Sequence, residues 1–236
     1  MTTTGISDFN LDLNDIVEEA FERCGAELRT GYDLRTARRS LNLLFADWAN
    51  RGINLWTIEQ GSQVLTPGTA TYNLPVDTVD LLEHVTRTGT GTNQQDLTIT
   101  RISVSTYATI PNKNATGRPI QIYVDRQSGA TEPTGVNYPT FTVWPTPDNS
   151  QTYTIVYWRM KRIQNAGSGV NTFDLPFRFL PCLVAGQAYY LAMKIPGAEQ
   201  RLQFLKGDYD EAFNLAAGED RGKAAVRFVP RIMNMY

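Results

Sequence analysis

The sequence predicts an α+β protein: a four-helix bundle assembled from N- and C-terminal parts, an inserted antiparallel β-domain and an extended C-terminal tail. Near both ends of the chain apolar residues recur at helical spacing, as Leu41, Leu44 and Trp48 do. The middle of the chain instead alternates short apolar runs with Thr, Gly and Pro, which is typical of strands and turns. Helices far apart in sequence can cover each other's apolar stripes, which favours a bundle built from both ends.

The first part of the bundle is predicted over residues 1–56 and contains two amphipathic helices. The first begins behind an Asn or Asp cap and ends at Cys24, where Gly25 acts as a stop signal. The second extends from about Asp33 to Asn50. Residues 1 to 60 carry ten acidic and six basic residues, so this end of the chain is acidic.

The inserted β-domain is predicted over residues 57–172. Its strand-like runs include "LTIT", "IQIYV", "TFTVW" and "YTIVYW". The stretches "TPGTA", "TGTGTN" and "PTPDNS" combine Gly, Pro, Asn and Asp and predict turns between the strands. The stretch "ISVSTYATIPN" predicts either a short helix or a bend.

The second part of the bundle is predicted over residues 173–218. The segment "FDLPFRFLPCLVAGQAYYLAMKI" is almost entirely apolar, so its helix should be buried on most sides. A further helix is predicted from near Gly197 to Gly218, because Leu202, Leu205 and Tyr209 follow each other at spacings of three and four.

An extended tail is predicted over residues 219–236. Residues 221–236 carry four cations and no anion, and Pro230 would break a helix and enter a sheet only at an edge. Fully extended, this stretch reaches roughly 50 Å, enough to cross onto another protein. We expect it to be mobile in the free subunit and extended when docked. Its candidate docking residues are Arg221, Lys223, Val226, Arg227, Phe228, Val229, Arg231, Ile232, Met233 and Tyr236.

The sequence offers few signs of catalysis or of bound cofactors. The only histidine, His84, lies in a strand-like run without a nucleophile signature, and "TGTGTN" leads into no helix that could hold a phosphate. Cys24 and Cys182 lie in apolar helical patterns, where thiols usually act as small buried hydrophobic groups. We therefore predict a non-enzyme without cofactor or metal. Acidic residues such as Glu18 and Glu19 are explained by the helix dipole.

Composition also limits the partners. The 22 basic and 24 acidic residues give a net charge of -2, which is too balanced for general affinity to nucleic acid or to an anionic membrane. The first residues carry no secretory signal pattern, and no run reaches the ~18 apolar residues of a membrane span. We expect a protein made in a reducing cytoplasm, with no membrane partner.

Three blocks taken together resemble the head-to-tail adaptor proteins of tailed bacteriophages, in particular the tail-tubular-protein-A type of short-tailed phages. These blocks are "LNLLFADWANRGINLWTIEQGSQVLTPGTATYNLPVDTVDLLEHV", "YPTFTVWPTPDNSQTYTIVYWRMKRI" and "LPFRFLPCLVAGQAYYLAMKI". They follow one another in order over most of the chain, from the second helix through the β-domain to the third helix.

The resemblance implies a structural protein of the virion at the head-tail junction, assembled in the host cytoplasm. Such adaptors form a ring, usually a dodecamer, that joins the portal protein to the tail nozzle or tail tube. Double-stranded DNA passes through the ring without sequence-specific contacts. The resemblance also implies that the C-terminal extension docks on the portal.

Two features leave alternatives open. Arg35, Arg38 and Arg39 lie largely off the apolar stripe of the second helix, and they form a solvated face, a ring contact or part of a DNA channel. The β-domain could instead bind a host-surface carbohydrate, and a lytic enzyme is a further alternative. The candidate stacking aromatics for a carbohydrate are Tyr72, Tyr138, Trp144, Tyr153 and Trp158.

Overall fold

The computed structural model divides the chain into two compact units. One, the helical unit, comprises Met1–Leu55 and Gln164–Tyr236, and the other, the strand unit, comprises Trp56–Ile163. The division predicted from sequence, at residues 56 and 172, stays a prediction. Across both units the structure describes residue 5 and residues 9–29, 31–53, 55–126, 131–132, 135–136, 138–168 and 170–220.

Five α-helices and a set of mainly antiparallel sheets confirm the mixed α+β class. In the helical unit α4 is the central helix, because α1, α2 and α5 all pack against it. The short helix α3 belongs to the strand unit. The helices are α1 (Leu13–Cys24), α2 (Gly31–Asn50), α3 (Val104–Ala108), α4 (Leu180–Ala192) and α5 (Leu202–Glu219).

Helix α1 begins and ends at the signals that the sequence predicts. The Asp15 backbone N–H donates to Asp12 Oδ1 at 2.9 Å, and the Asp12 backbone N–H donates to Asp15 Oδ2 at 3.1 Å. This reciprocal pair satisfies two donors that a helix start leaves without partners. At the other end Gly25 adopts a left-handed conformation with φ of 77°, which only glycine reaches without strain.

The apolar character of α4 follows from its central position. Ten of its residues are buried, and Gly186 lies against side chains of both α2 and α5. A Cβ atom at Gly186 would lie 2.9 Å from both Leu44 Cδ2 and Tyr209 Cε2. The absence of a side chain at this position therefore lets the three helices pack together.

The core of the helical unit joins α2 to α5 through two aromatic side chains. Trp48 is fully buried, and its indole Nε1–H donates to the Tyr209 hydroxyl at 3.0 Å. The Trp48 ring also packs at 5.8 Å from the ring of Phe179. The hydrogen bond satisfies polar groups that burial would otherwise leave without water or partner.

Most strand pairings in the strand unit are antiparallel, and two are parallel, β5 with β7 and β6 with β11. One four-stranded sheet has the order β1-β12-β3-β4 and the other has the order β2-β10-β7-β5. The strands are β1 (Ile58–Val64), β2 (Thr71–Asn73), β3 (Thr78–Thr88), β4 (Gln95–Thr98), β5 (Thr100–Ile102), β6 (Thr116–Gly117), β7 (Gln121–Asp125), β8 (Thr131–Glu132), β9 (Gly135–Val136), β10 (Thr140–Trp144), β11 (Thr146–Pro147) and β12 (Tyr153–Lys161).

The inward side chains of these sheets form the core of the strand unit. Phe141 at its centre stacks on Tyr72, with 5.3 Å between the ring centroids. The "TGTGTN" stretch joins β3 to its antiparallel neighbour β4, as expected for a hairpin turn. The "ISVSTYATIPN" stretch contains α3, which Ser103 caps by accepting from the Thr106 backbone N–H at 3.2 Å.

Candidate interaction surfaces

The three arginines singled out in α2 form an exposed cationic face of the helical unit. Arg35, Arg38 and Arg39 are all exposed, and none forms an ion pair with a residue that the structure describes. Arg35 and Arg38 line a shallow depression of about 230 Å³ beside Ser168. We call these three residues the α2 cationic face.

A fourth cation extends this face. Lys194, just beyond α4, donates from Nζ to Ser40 Oγ at 2.6 Å. Burial lowers the pKa of Lys194, and the nearby charge of Arg39 lowers it further. An arginine close enough to shift that pKa shows that positive charge is concentrated here, which favours an anionic partner.

A groove of opposite character runs along α1. Its volume is about 790 Å³, and it lies between α1 and the start of α4. We call it the α1 groove. It is lined by the acidic residues Asp15, Glu18, Glu19 and Glu22, by Arg23, and by Phe9, Asn10, Leu11, Phe177, Leu180, Pro181 and Val184.

The charges of the α1 groove are only partly neutralised. Arg23 donates to Glu19 Oε1 at 2.9 Å and to Asp208 Oδ2 at 3.1 Å, so its charge is already shared by two carboxylates. Glu18 and Glu22 are exposed and form no ion pair within the described part of the chain. The groove therefore keeps an excess of negative charge.

Sequence reasoning missed this groove. It explained the acidic residues of α1 by the helix dipole, although Asp15, Glu18 and Glu22 follow each other at spacings of three and four, which places them on one helix face. It also expected the apolar segment that includes Phe177 to be buried on most sides. In the structure Phe177 lies in a 3₁₀ turn ahead of α4 and is 73% exposed.

Further large apolar side chains are exposed on the helical unit. Phe204 and Leu215 of α5 are 80% and 69% exposed, and Tyr32 and Leu43 of α2 are also exposed. Exposed apolar residues that stand singly are normal on a protein surface, and only a contiguous patch of them would indicate a contact surface.

The predicted docking tail, from Arg221 to Tyr236, lies outside the described residues. The structure does show the residue from which it continues. Glu219, the last residue of α5, accepts a hydrogen bond from Arg178 at 3.1 Å, and the Asp220 side chain accepts one from the Leu55 backbone N–H at 3.4 Å.

The strand unit neutralises many of its charges internally. Arg159 is a central strand residue with a side chain only 8% exposed. It donates to Asp77 Oδ1, to Thr78 Oγ1 at 2.9 Å and to Glu59 Oε2 at 2.9 Å. Such a set of partners is what a buried guanidinium requires.

Two of the five candidate carbohydrate-stacking aromatics are core residues, so their predicted role was wrong. Tyr72 is buried against Phe141, and its hydroxyl donates to backbone carbonyls of the neighbouring turn, 2.8 Å from Thr69 O. Tyr153 is 2% exposed. A sugar needs an open aromatic face, which neither residue presents. Tyr138 is exposed, and Trp144 and Trp158 are partly buried.

The groups with potential reactivity are held in unreactive forms. Burial raises the pKa of Cys24 to about 11 and that of Cys182 to about 12, so both stay protonated thiols at neutral pH. Burial also lowers the pKa of His84, to which Arg101 contributes, and the ring is therefore neutral. His84 Nδ1 has no partner among the described residues.

Two further features are absent from the described residues. No cluster of three or more His, Cys, Asp or Glu side chains there has the spacing to hold a metal ion. None of the described helices combines the length and apolarity that crossing a membrane requires.

The sequence was also compared with known proteins. Residues 11–230 match the model of a family described as SU10 adaptor protein. This range includes most of both halves of the helical unit and the whole strand unit. No curated protein matches the chain.

Proposed function

Because the chain belongs to the SU10 adaptor protein family, we propose that it forms a dodecameric ring between the portal and the tail nozzle or tail tube. Double-stranded DNA passes through the ring without sequence-specific contacts. The family consists of phage adaptor proteins, which are structural components of the virion and interact with portal and tail proteins. The narrower tail-tubular-protein-A-like type stays a prediction.

The separation of charge within the helical unit is the observation that supports a ring. The α2 cationic face, and Glu18 and Glu22 of the acidic wall of the α1 groove, form no ion pairs among the described residues. A contact in which the cationic face of one copy meets the acidic wall of the next pairs both surfaces. Such head-to-tail contacts repeat from copy to copy and close into a ring when the rotation allows.

In this ring the four long helices act as a bundle that makes the lateral contacts. The role is geometric and needs no catalysis. Residues 221–236 dock on the portal, where a sheet edge or an acidic surface supplies the backbone hydrogen bonds and charges that this cationic segment needs. The strand unit makes the contact with the nozzle or tube.

The ring contact is tested by reversing one charge on each of two helices. Arg38→Glu should reduce ring formation at least tenfold, as measured by native mass spectrometry with and without the portal protein. The matched control, Lys206→Glu, reverses an equally exposed cation on α5 and should leave the ring intact. If instead Arg38→Glu rings form normally but retain less DNA, the cationic face belongs to the channel.

The portal contact is tested by deleting residues 221–236. The shortened protein should keep its fold, since it retains every described helix and strand, and should lose attachment to the portal in a pull-down experiment. Unchanged attachment would show that the portal is bound through another part of the chain.

A further inference from the structure

We propose that the α1 groove is a docking surface for the chain's own C-terminal segment, residues 221–236, in a subunit that has not met its partners. This contact lies within one subunit and differs from docking on a portal. It replaces the freely mobile tail that the sequence predicts for the free subunit. It assigns a role to a surface that the sequence alone did not reveal.

The chemistry of the α1 groove selects a cationic and apolar peptide. The exposed residues Phe9, Phe177 and Pro181 supply the apolar surface of the groove, above the buried Leu180 and Val184. Glu18 and Glu22, which form no ion pair with any described residue, supply carboxylates along one wall. An occupant must therefore offer apolar side chains for the apolar surface and long cationic side chains for the wall.

Residues 221–236 have this composition and no anion that the wall would repel. In an extended conformation Val226 and Phe228 fall on one side of the segment, while Arg227 falls on the other. The flexible arginine side chain is long enough to reach a neighbouring carboxylate. Apolar contact and charge complementarity therefore agree on the same segment.

The position at which the segment leaves α5 favours docking within the same chain. The carboxylate of Glu219 is 3.1 Å from Arg178 Nη1, and Arg178 directly follows the groove residue Phe177. Residues 221–229, before Pro230, span up to about 30 Å when extended. They can therefore reach the α1 groove without a second copy, and a short tether raises their effective concentration to the millimolar range.

The dimensions of the α1 groove indicate a weak contact. From Asp15 to Glu22 the acidic wall extends about 10 Å along the helix axis. An extended peptide covers this length with three or four residues. Exposed ion pairs of this kind are worth about 0–1 kcal/mol each, so the contact is reversible and sensitive to salt.

If the proposed ring forms as described, docking of the tail in the groove competes with ring formation. The same acidic wall would be needed by the α2 cationic face of the next copy. While residues 221–236 cover the wall, that contact is blocked, and a portal that captures the segment exposes the wall again. Portal binding and ring formation are then coupled through one surface.

Site-specific crosslinking of the free, full-length protein tests the docking itself. Asn10→Cys in the groove and Ala225→Cys in the tail, which leave the carboxylates and the large apolar side chains in place, are combined and treated with a bismaleimide of about 10 Å reach. The native thiols Cys24 and Cys182 are buried and protonated, so the parent chain serves as the background. We expect a crosslink within one chain, identified by mass spectrometry.

A control pair measures the crosslinking of a freely moving tail. Glu211→Cys is exposed on α5, outside the groove, and is combined with the same Ala225→Cys. The groove pair should crosslink at least fivefold faster than the control pair. Equal rates would mean that the tail does not prefer the groove. A crosslinked dimer would mean that the groove is occupied by the tail of a second copy. Either result overturns the proposal.

A charge exchange tests the chemistry of the contact without portal protein. In the groove pair, Glu18→Arg should lower the crosslinking rate at least threefold, and adding Arg227→Glu should restore it. In about 1 M salt, where the screening length is ~3 Å, the rate should also approach that of the control pair. A rate indifferent to both charge and salt would contradict the acidic wall as the docking surface. These readouts are independent of portal attachment, so they can fail while the proposed function holds.

Discussion

The helical unit and the strand unit differ in which of their charged and aromatic groups stay exposed. In the strand unit Arg159 is buried among carboxylates, and Tyr72 and Phe141 stack inside the core. In the helical unit Arg38 and Glu18 are exposed without ion pairs among the described residues, and Phe177 and Phe204 extend into solvent. At these positions the strand unit uses its charged and aromatic groups for its own stability, whereas the helical unit leaves them available to bind other molecules.

The largest expected effect concerns the core of the helical unit. Trp48→Ala removes a fully buried ring and should lower the free energy of unfolding by about 3–5 kcal/mol. Trp48→Phe keeps most of the packing but loses the donor to the Tyr209 hydroxyl, so its cost should be about 1–2 kcal/mol. Urea denaturation measures both. Equal losses would show that the hydrogen bond, and not the packing, dominates.

The next effect concerns the buried arginine of the strand unit. Removing its carboxylates together, Glu59→Ala with Asp77→Ala, leaves a buried cation unpaired and should cost about 3 kcal/mol. Arg159→Met leaves only half-exposed carboxylates, so its loss in the same urea experiment should be smaller. A larger loss for Arg159→Met would mean that the guanidinium contributes mainly by packing.

A smaller loss of stability is expected at Gly186, where α4 packs against side chains of α2 and α5. Gly186→Ala places a Cβ atom 2.9 Å from Leu44 and Tyr209 and should cost about 1–3 kcal/mol. The matched control is Gly207→Ala in α5, where a Cβ atom meets nothing within 4 Å. That control should stabilise the protein by about 0.5–1 kcal/mol, because alanine favours the helix. Thermal unfolding of the pair shows whether the two signs differ.

The smallest effect is a pH dependence in the strand unit. Burial holds the pKa of His84 below its ordinary value of 6.5, so the unfolded chain binds a proton more readily than the folded one. Stability should therefore be complete above pH 6.5 and fall as the pH drops toward the lowered pKa. His84→Gln should flatten this part of the stability profile. An unchanged slope would assign the dependence to other groups.

Local signals explain which parts of the fold the sequence predicts well. Helix α1 ends at Cys24 as predicted, because Gly25 gives a local stop signal that acts without tertiary contacts. For α5 the sequence predicts a start near Gly197, but a 3₁₀ turn over Glu199–Arg201 comes first. Turn type there depends on packing, which periodicity does not encode.

Pairing direction and exposure are harder to predict than strand existence. The alternating pattern of "LTIT" indicates strands, yet β5 pairs in parallel with β7, since alternation carries no information on the neighbour's direction. Aromatic content likewise did not separate Tyr72, which is buried, from Tyr138, which is exposed. The α1 groove combines residues of α1 with Phe177, and no single stretch of sequence brings them together.

The central position of α4 also sets an order for folding during translation. Residues 56–163 form one continuous unit, so the strand unit has its complete chain while the ribosome is still adding α4. Helices α1 and α2 must wait for that later segment, and closing so long a separation is slow. The nascent chain therefore exposes the apolar faces of its first two helices until α4 emerges. Chaperones protect such surfaces during this interval.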